Sequence, residues 1–200
     1  MRTPFRFATL LLFCWLTSAL TGCARSPQVN FYELAPQAQS SVVTAPPPFS
    51  VAFAPITLPE FVDRQQLVLT TTGSRVHLLE THRWAEPLKS AIPRLLADNL
   101  SRLLGTDRVF SYPQSASNDA DYRIHADFLR FESSEDTVMI EALWTIRTAG
   151  DGSGKTRRFK VTEALGAEGN EARVAAYSRA LAALSRDIAD SLREAKPVSR

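Results

Sequence analysis

Val138-Met139-Ile140-Glu141-Ala142-Leu143-Trp144-Thr145-Ile146-Arg147-Thr148, then Ala149-Gly150-Asp151-Gly152-Ser153-Gly154-Lys155-Thr156, then Arg157-Arg158-Phe159-Lys160-Val161-Thr162-Glu163: the fold turns on how these residues are read. In the first run Val138, Ile140, Ala142, Trp144 and Ile146 fall on one face, the alternation of a strand buried on one side. The middle run satisfies a permissive phosphate-binding-loop pattern with its Gly-Lys-Thr ending. Had it opened a helix, the free N–H groups of the first turn could cradle a phosphate, and the chain would be an α/β nucleotide binder. The third run alternates instead, with Arg157, Phe159, Val161 and Glu163 on one face. A glycine-rich turn between two alternating runs is a hairpin. Antiparallel pairing is therefore expected here, and Lys155 is set aside as a phosphate ligand.

Working outward, residues 122–132 alternate with Tyr122, Ile124, Ala126 and Phe128 inward and then change phase at Leu129 and Phe131. That change predicts a bulge, or a strand covered on both faces. Phe49, Val51 and Phe53 mark a further strand, and residues 67–71 and 76–79 flank Gly73-Ser74 as a second hairpin. From residue 84 to 104, Trp84, Leu88, Ile92, Leu95, Leu96, Leu100 and Leu103 recur at helical spacing, with Gly105 just past the end. Pro87 suits the first turn of that helix, while Pro93 should bend it or mark where its regular part begins. Asn170 can cap a second helix reaching residue 196, with Val174, Tyr177, Leu181, Leu184, Ile188 and Leu192 on its apolar stripe. Its polar face would carry Arg173, Arg179, Arg186, Asp187, Asp190 and Arg193. The seam is too short for a coiled coil and reads as a face packed on a sheet. The sum is α+β: a mainly antiparallel or mixed sheet of about five or six strands with two long helices packed on it.

The amino-terminal end reads differently. Arg2 and Arg6, an apolar run over residues 7–20 and small residues before Cys23 have the order of a secretory signal. The run is shorter than the roughly 20 residues that span a bilayer as a helix. Leu20-Thr21-Gly22-Cys23 resembles the lipobox of bacterial lipoproteins, which implies cleavage after residue 22, a diacylglycerol on the Cys23 sulfur and an N-acyl chain, palmitate among the usual ones. In such proteins an Asp after the cysteine commonly holds the product at the inner membrane; Ala24 stands there, which favours the periplasmic face of the outer membrane. Residues 23–48, rich in Pro, Ser, Gln and Ala, read as a tether, within which residues 31–34 could add a short edge strand. Residues 49–196 then form a single domain. With residues 1–22 removed, 178 of 200 residues remain, and 21 of the 23 basic side chains are left to balance 21 acidic ones. A neutral chain lacks the cationic surplus by which nucleic acids are bound. A hydrophobic content of 44% over this length is enough for a core without disulfide or metal staples. Cys14 leaves with the leader and Cys23 carries lipid, so thiol catalysis and cysteine-based zinc sites are not expected.

Nothing in the remaining residues assembles a catalytic set. His82 and Glu86 stand at a metal-pair spacing, but no third ligand is near, and Pro87 places a helix start there. His77 stands alone, and His125 alternates outward on its strand. No Gly-x-Ser-x-Gly elbow is present, and Glu135-Asp136 lies in a polar turn rather than a cleft. An enzyme is not expected, and no cofactor beyond the lipid on Cys23.

Several segments together resemble one family. The lipobox, Phe31-Tyr32-Glu33-Leu34, Val51-Ala52-Phe53-Ala54-Pro55-Ile56-Thr57-Leu58-Pro59-Glu60-Phe61-Val62-Asp63-Arg64 with Gln65-Gln66-Leu67-Val68, and His82-Arg83-Trp84-Ala85-Glu86-Pro87-Leu88 are similar to the PqiC/YmbA family of ABC-type transport auxiliary lipoproteins. The departure is Gln65, where members often have Pro. The resemblance implies an outer-membrane accessory subunit working with an inner-membrane-anchored MCE-domain (PqiB-like) protein and its membrane subunits to move lipid between membranes and support envelope integrity. It leaves room for a homo-oligomeric ring. On this reading Leu58, Pro59, Asp63, Arg64, Arg83, Trp84 and Glu86 are partner-binding residues, with Asp63 and Arg64 either recognising the partner or pairing with each other. A periplasmic lipid carrier, with an apolar pocket between sheet and helices, is the competing expectation.

Overall fold

The computed structural model describes residues 26–39, 46–71, 75–150 and 152–194. Cys23, the leader and the Gly73-Ser74 turn lie outside the described residues. In chain order the elements are β1 (Asn30–Tyr32), β2 (Val51–Phe53), β3 (Gln66–Thr70), β4 (Val76–Trp84), α1 (Leu88–Leu104), β5 (Val109–Ser111), β6 (Tyr122–Ser133), β7 (Thr137–Thr148), β8 (Gly154–Ala164) and α2 (Asn170–Glu194). The expected α+β class is borne out, but the strands form two sheets rather than one. Five run in the order β5-β2-β6-β7-β8 and three in the order β1-β4-β3. Both sheets are mixed: β2 is parallel to β5 and β6, and β1 is parallel to β4, while the β3–β4, β6–β7 and β7–β8 pairs are antiparallel.

The alternation that decides the fold is obeyed residue by residue. Val138, Ile140, Ala142, Trp144 and Ile146 are buried, and β7 pairs with β8 across the glycine-rich turn. The phase change in β6 is a register shift between Phe128 and Arg130, which turns Leu129 outward at 43% exposure and Phe131 inward at 1%. α2 packs on the inner face of this sheet and against α1, so that its apolar stripe and the small residues Ala176, Ala180, Ser178 and Ser185 are all buried. The two serines satisfy themselves on the carbonyls one turn back, Ser178 on Val174 and Ser185 on Leu181. Tyr177 stacks on Phe131 with ring centres 4.3 Å apart, and Trp84 meets its edge at 5.8 Å. These rings tie the two sheets together through α2, and Ser133 Oγ adds a hydrogen bond to the Val68 carbonyl at 2.9 Å.

Three expectations change. Arg173, read as part of a polar face, is 7% exposed, with its guanidinium donating to Asn170 Oδ1 and the Ser134 carbonyl. Buried without such acceptors, that charge would be strongly destabilising. Trp84 closes β4 rather than opening α1: its amide donates to Gln65 O at 2.7 Å, the next amide to Tyr32 O at 2.8 Å, and Pro87 caps the helix that begins at Leu88. α1 continues through Pro93 and stops at Gly105, whose φ of 63° lets its amide return to Ser101 O. Finally, residues 30–38 do not hang free as spacer. Beyond the short β1, Leu34 and Ala38 are buried, Ala35 N donates to Ser178 Oγ, and Gln37 N and Ala38 N both donate to Asn99 Oδ1. A strap is laid over α1 and α2.

Candidate functional site

The two segments singled out by resemblance meet at one corner. The loop over residues 58–64 is a tight turn anchored by buried Leu58 and Val62, with Val62 N and Asp63 N both donating to Pro59 O. It feeds into β3, whose first residue Gln66 pairs with Arg83 near the end of β4. The corner is fixed by two ion pairs. Asp63 Oδ2 lies 2.6 Å from Lys89 Nζ on the first turn of α1, so Asp63 pairs with that lysine and not with Arg64. Glu86 accepts a two-pronged hydrogen bond from Arg94, one turn further along. This bond holds the Arg94 guanidinium above its already high ordinary pKa. Exposed pairs of this kind add little stability, so their effect is to set geometry.

The seven residues therefore divide by position. Trp84 is 6% exposed and Leu58 9%, both within the core, so neither offers a side chain to a partner without unpacking. Asp63 and Glu86 are occupied by Lys89 and Arg94. Pro59 is half-buried, and the half-buried Arg83 donates from Nε to Glu80 O at 3.2 Å. Arg64 is exposed; its backbone N–H donates to Val62 O at 2.8 Å, while its guanidinium has no ion pair or hydrogen bond among the described residues. Cys23 lies outside them.

The residues weighed for other chemistries are placed as follows. His82 Nδ1 and the Tyr32 hydroxyl share a hydrogen bond of 2.7 Å, while Glu86 is turned to Arg94. Among the described residues no three His, Cys, Asp or Glu side chains gather where they could hold a metal. The glycine-rich turn opens a strand, and Lys155 Nζ lies 3.6 Å from Glu194 Oε2, on the rim of a cleft of about 300 Å³ that Ile146 and Ser191 also line. Among the described residues that line the cleft, none belongs to a helix start. Between the five-stranded sheet and α2, where a carrier would hold lipid, Ile140, Trp144, Leu181, Leu184 and Ile188 are fully buried and fill the layer.

On the outer face of the five-stranded sheet, Glu141 is enclosed by Arg158 and Arg130, and the hydrogen bond from Arg158 holds its carboxyl below the usual range. His125 on the same face is pushed below 6.5, first by burial and then by Arg147 and Arg123, with Asp127 opposing. A histidine depressed in the folded state leaves the unfolded chain to bind the proton first. Its contribution is thus fully present above pH 6.5 and is lost as pH falls through the folded value. Urea midpoints should decline below pH 6.5, and His125→Gln should flatten that decline; an unchanged slope in the variant would remove His125 as its source.

Sequence reading missed what pins the strap. Asn99 is fully buried on the apolar stripe of α1, and a polar residue in that position was the available signal. Its partners are backbone amides 61 and 62 residues away, which no local pattern reveals.

A family model described as ABC-type transport auxiliary lipoprotein component matches residues 32–189. Its first residue lies inside β1, in agreement with the strap belonging to the folded body. None of the curated proteins matches the chain. Among solved structures, one titled only as an uncharacterized protein superposes with a TM-score of 0.69 at 17% identity, covering 83% of this chain and 99% of its own. A Xanthomonas campestris protein of the DUF330 family superposes equally well, TM-score 0.69 at 15% identity, over 82% of this chain and 94% of its own. At such identities these structures establish the shared fold. No helix among the described residues is long and apolar enough to cross a membrane.

Proposed function

Because the chain belongs to the ABC-type transport auxiliary lipoprotein family, we propose that it is the outer-membrane subunit of an intermembrane lipid transport system. In this reading acyl chains on Cys23 hold it at the periplasmic face of the outer membrane. There it docks an inner-membrane-anchored MCE-domain protein of the PqiB type, with its associated membrane subunits, so that the conduit ends at the outer membrane and the envelope keeps its integrity.

The observation that carries this is the corner itself. A turn anchored in the core and fixed by Asp63–Lys89 and Glu86–Arg94 presents Arg64 to solvent with no partner of its own among the described residues. A rigid turn offering such a guanidinium suits recognition of a carboxylate or a carbonyl-rich surface, because the loop has little freedom left to lose on binding and only the Arg64 side chain has to be ordered. Leu58 and Trp84 position the corner, Asp63 and Glu86 hold its shape, and Pro59 and Arg64 make the contact with Arg83 at its flank. A docking function needs no catalytic group.

Arg64→Glu should lower capture of the MCE-domain partner at least about tenfold, since a charge reversed at the centre of an interface costs more than about 1.4 kcal/mol. Its melting temperature should stay that of the wild type, because the side chain has no hydrogen bond or ion pair to lose among the described residues. Undiminished capture by a folded, membrane-localised variant would reject this corner as the contact.

A further inference from the structure

The three-stranded sheet has one face packed on the core, and its other face is open at the β1 end and along the outer part of β4, though Val68 of β3 is buried on that side. Cross-strand partners share a face, so the pairs Phe31–Arg83 and Arg83–Gln66 place these three residues on one side. Their neighbours Tyr32, Trp84 and Leu67 turn to the core. Further along the hairpin, Leu78 pairs with Val68 and Val76 with Thr70, on the same side as Gln66 by the alternation of β3. Three large apolar side chains on this side are exposed: Phe31 at 65%, Val76 at 45% and Leu78 at 36%. Singly such side chains are ordinary, but three on one side of one small sheet, with Phe31 two-thirds open to water, mark a surface for an occupant.

The length of chain before β1 says which. Seven residue steps separate Cys23 from Asn30, and a fully extended chain covers at most about 3.6 Å per step, or roughly 25 Å. The strap cannot lengthen this reach without giving up the β1–β4 ladder and the hydrogen bonds to Ser178 and Asn99. A body of this size has a radius of gyration of about 15 Å and is roughly 40 Å across. The tether is therefore shorter than the body is wide, and the side bearing β1 must be the side turned to the bilayer.

We propose that the open face of β1-β4-β3 rests on the lipid surface, with Phe31 among the headgroups and Arg83 at the level of their phosphates. An aromatic ring with a neighbouring arginine suits that interface, the ring filling the apolar boundary and the guanidinium meeting phosphate. This inference rests on the acylation of Cys23 proposed above. Its consequence is that the Arg64 corner, which adjoins Arg83 through Gln65 and Gln66, stands at bilayer height, where a conduit delivering lipid has to end.

The test places a nitroxide on Phe31→Cys, on Leu78→Cys and, as control, on Arg147→Cys on the outer face of the five-stranded sheet. The protein is the full acylated chain on vesicles of phosphatidylethanolamine and phosphatidylglycerol. With Cys23 acylated and Cys14 gone with the leader, only the introduced thiol is labelled. Collision with dissolved oxygen, relative to a water-soluble nickel chelate, should rise about threefold or more at 31 over 147, and to a smaller degree at 78. A label at 31 as wet as the one at 147, or one shielded from both reagents by a second copy or another protein, would overturn the proposal. The mass of the amino-terminal peptide in the same sample separates the two readings. Acylated protein with a wet Phe31 sinks the face alone, whereas bare Cys23 sinks the tether and the face with it.

Discussion

Trp144→Ala is expected to lower the free energy of unfolding by about 3–5 kcal/mol, the range for emptying a large aromatic site in a core. Trp144 is fully buried at the centre of β7, beneath α2, with Arg157 5.8 Å from its ring centre. Its indole N–H donates to Asp187 Oδ2 at 3.0 Å, so the cavity also takes a partner from a half-buried carboxylate. For a chain of this length the change should lower the melting temperature by about 6–20 °C. Trp144→Phe keeps most of the volume and loses the hydrogen bond, and should cost nearer about 1 kcal/mol. Leu129→Ala, on the outward side of the bulge, should stay within about 0.5 kcal/mol. Calorimetry on the three variants checks the order, and a Trp144→Ala loss no larger than that of Leu129→Ala would contradict the packing described.

Exporting residues 24–200 behind an ordinary cleavable leader, without Cys23, should move the protein from the membrane to the soluble fraction almost completely. One acyl chain gives only marginal, reversible attachment, and additional chains make it stable at about 0.8 kcal/mol for each buried CH₂. The open sheet face offers a few side chains against that, which is too little to retain the body alone. Fractionation and flotation measure the change, and full retention of the unacylated protein would contradict the lipid tether.

Much of the body was legible because its alternation is clean. The β7–β8 hairpin, the bulge at Leu129 and the stripe of α2 each follow from side-chain period alone. The phosphate-loop pattern was correctly discounted by the alternating residues 157–163 after it, since a strand cannot supply a helix start. The features that escaped depend on distant partners. β4 runs on to Trp84 because residues 80–82 are accommodated between the Leu67–Leu79 and Gln66–Arg83 pairs, an irregularity that erases alternation and made Trp84 look like the first turn of a helix. The strap over residues 30–38 shows no strand or helix period beyond its first residues, and its order comes from the buried Leu34 and Ala38 and from hydrogen bonds to Asn99 and Ser178. Residues 31–34 are expected as a short edge strand and β1 is one, but its pairing with β4, a parallel contact between segments far apart in the chain, is not encoded by local sequence. At the corner the segments were recognised, but not their pairing: the acid beside Arg64 answers Lys89 on the helix instead.

Whether the Arg64 corner meets the end of a transport conduit at the outer membrane is tested most directly by a photo-reactive residue at position 64 in intact cells, with one at position 147 as control. An adduct between position 64 and the MCE-domain partner is expected, absent at 147 and absent when the partner is deleted. Adducts with that partner from 147 and none from 64, in protein shown to be acylated and in place, would contradict the proposed docking.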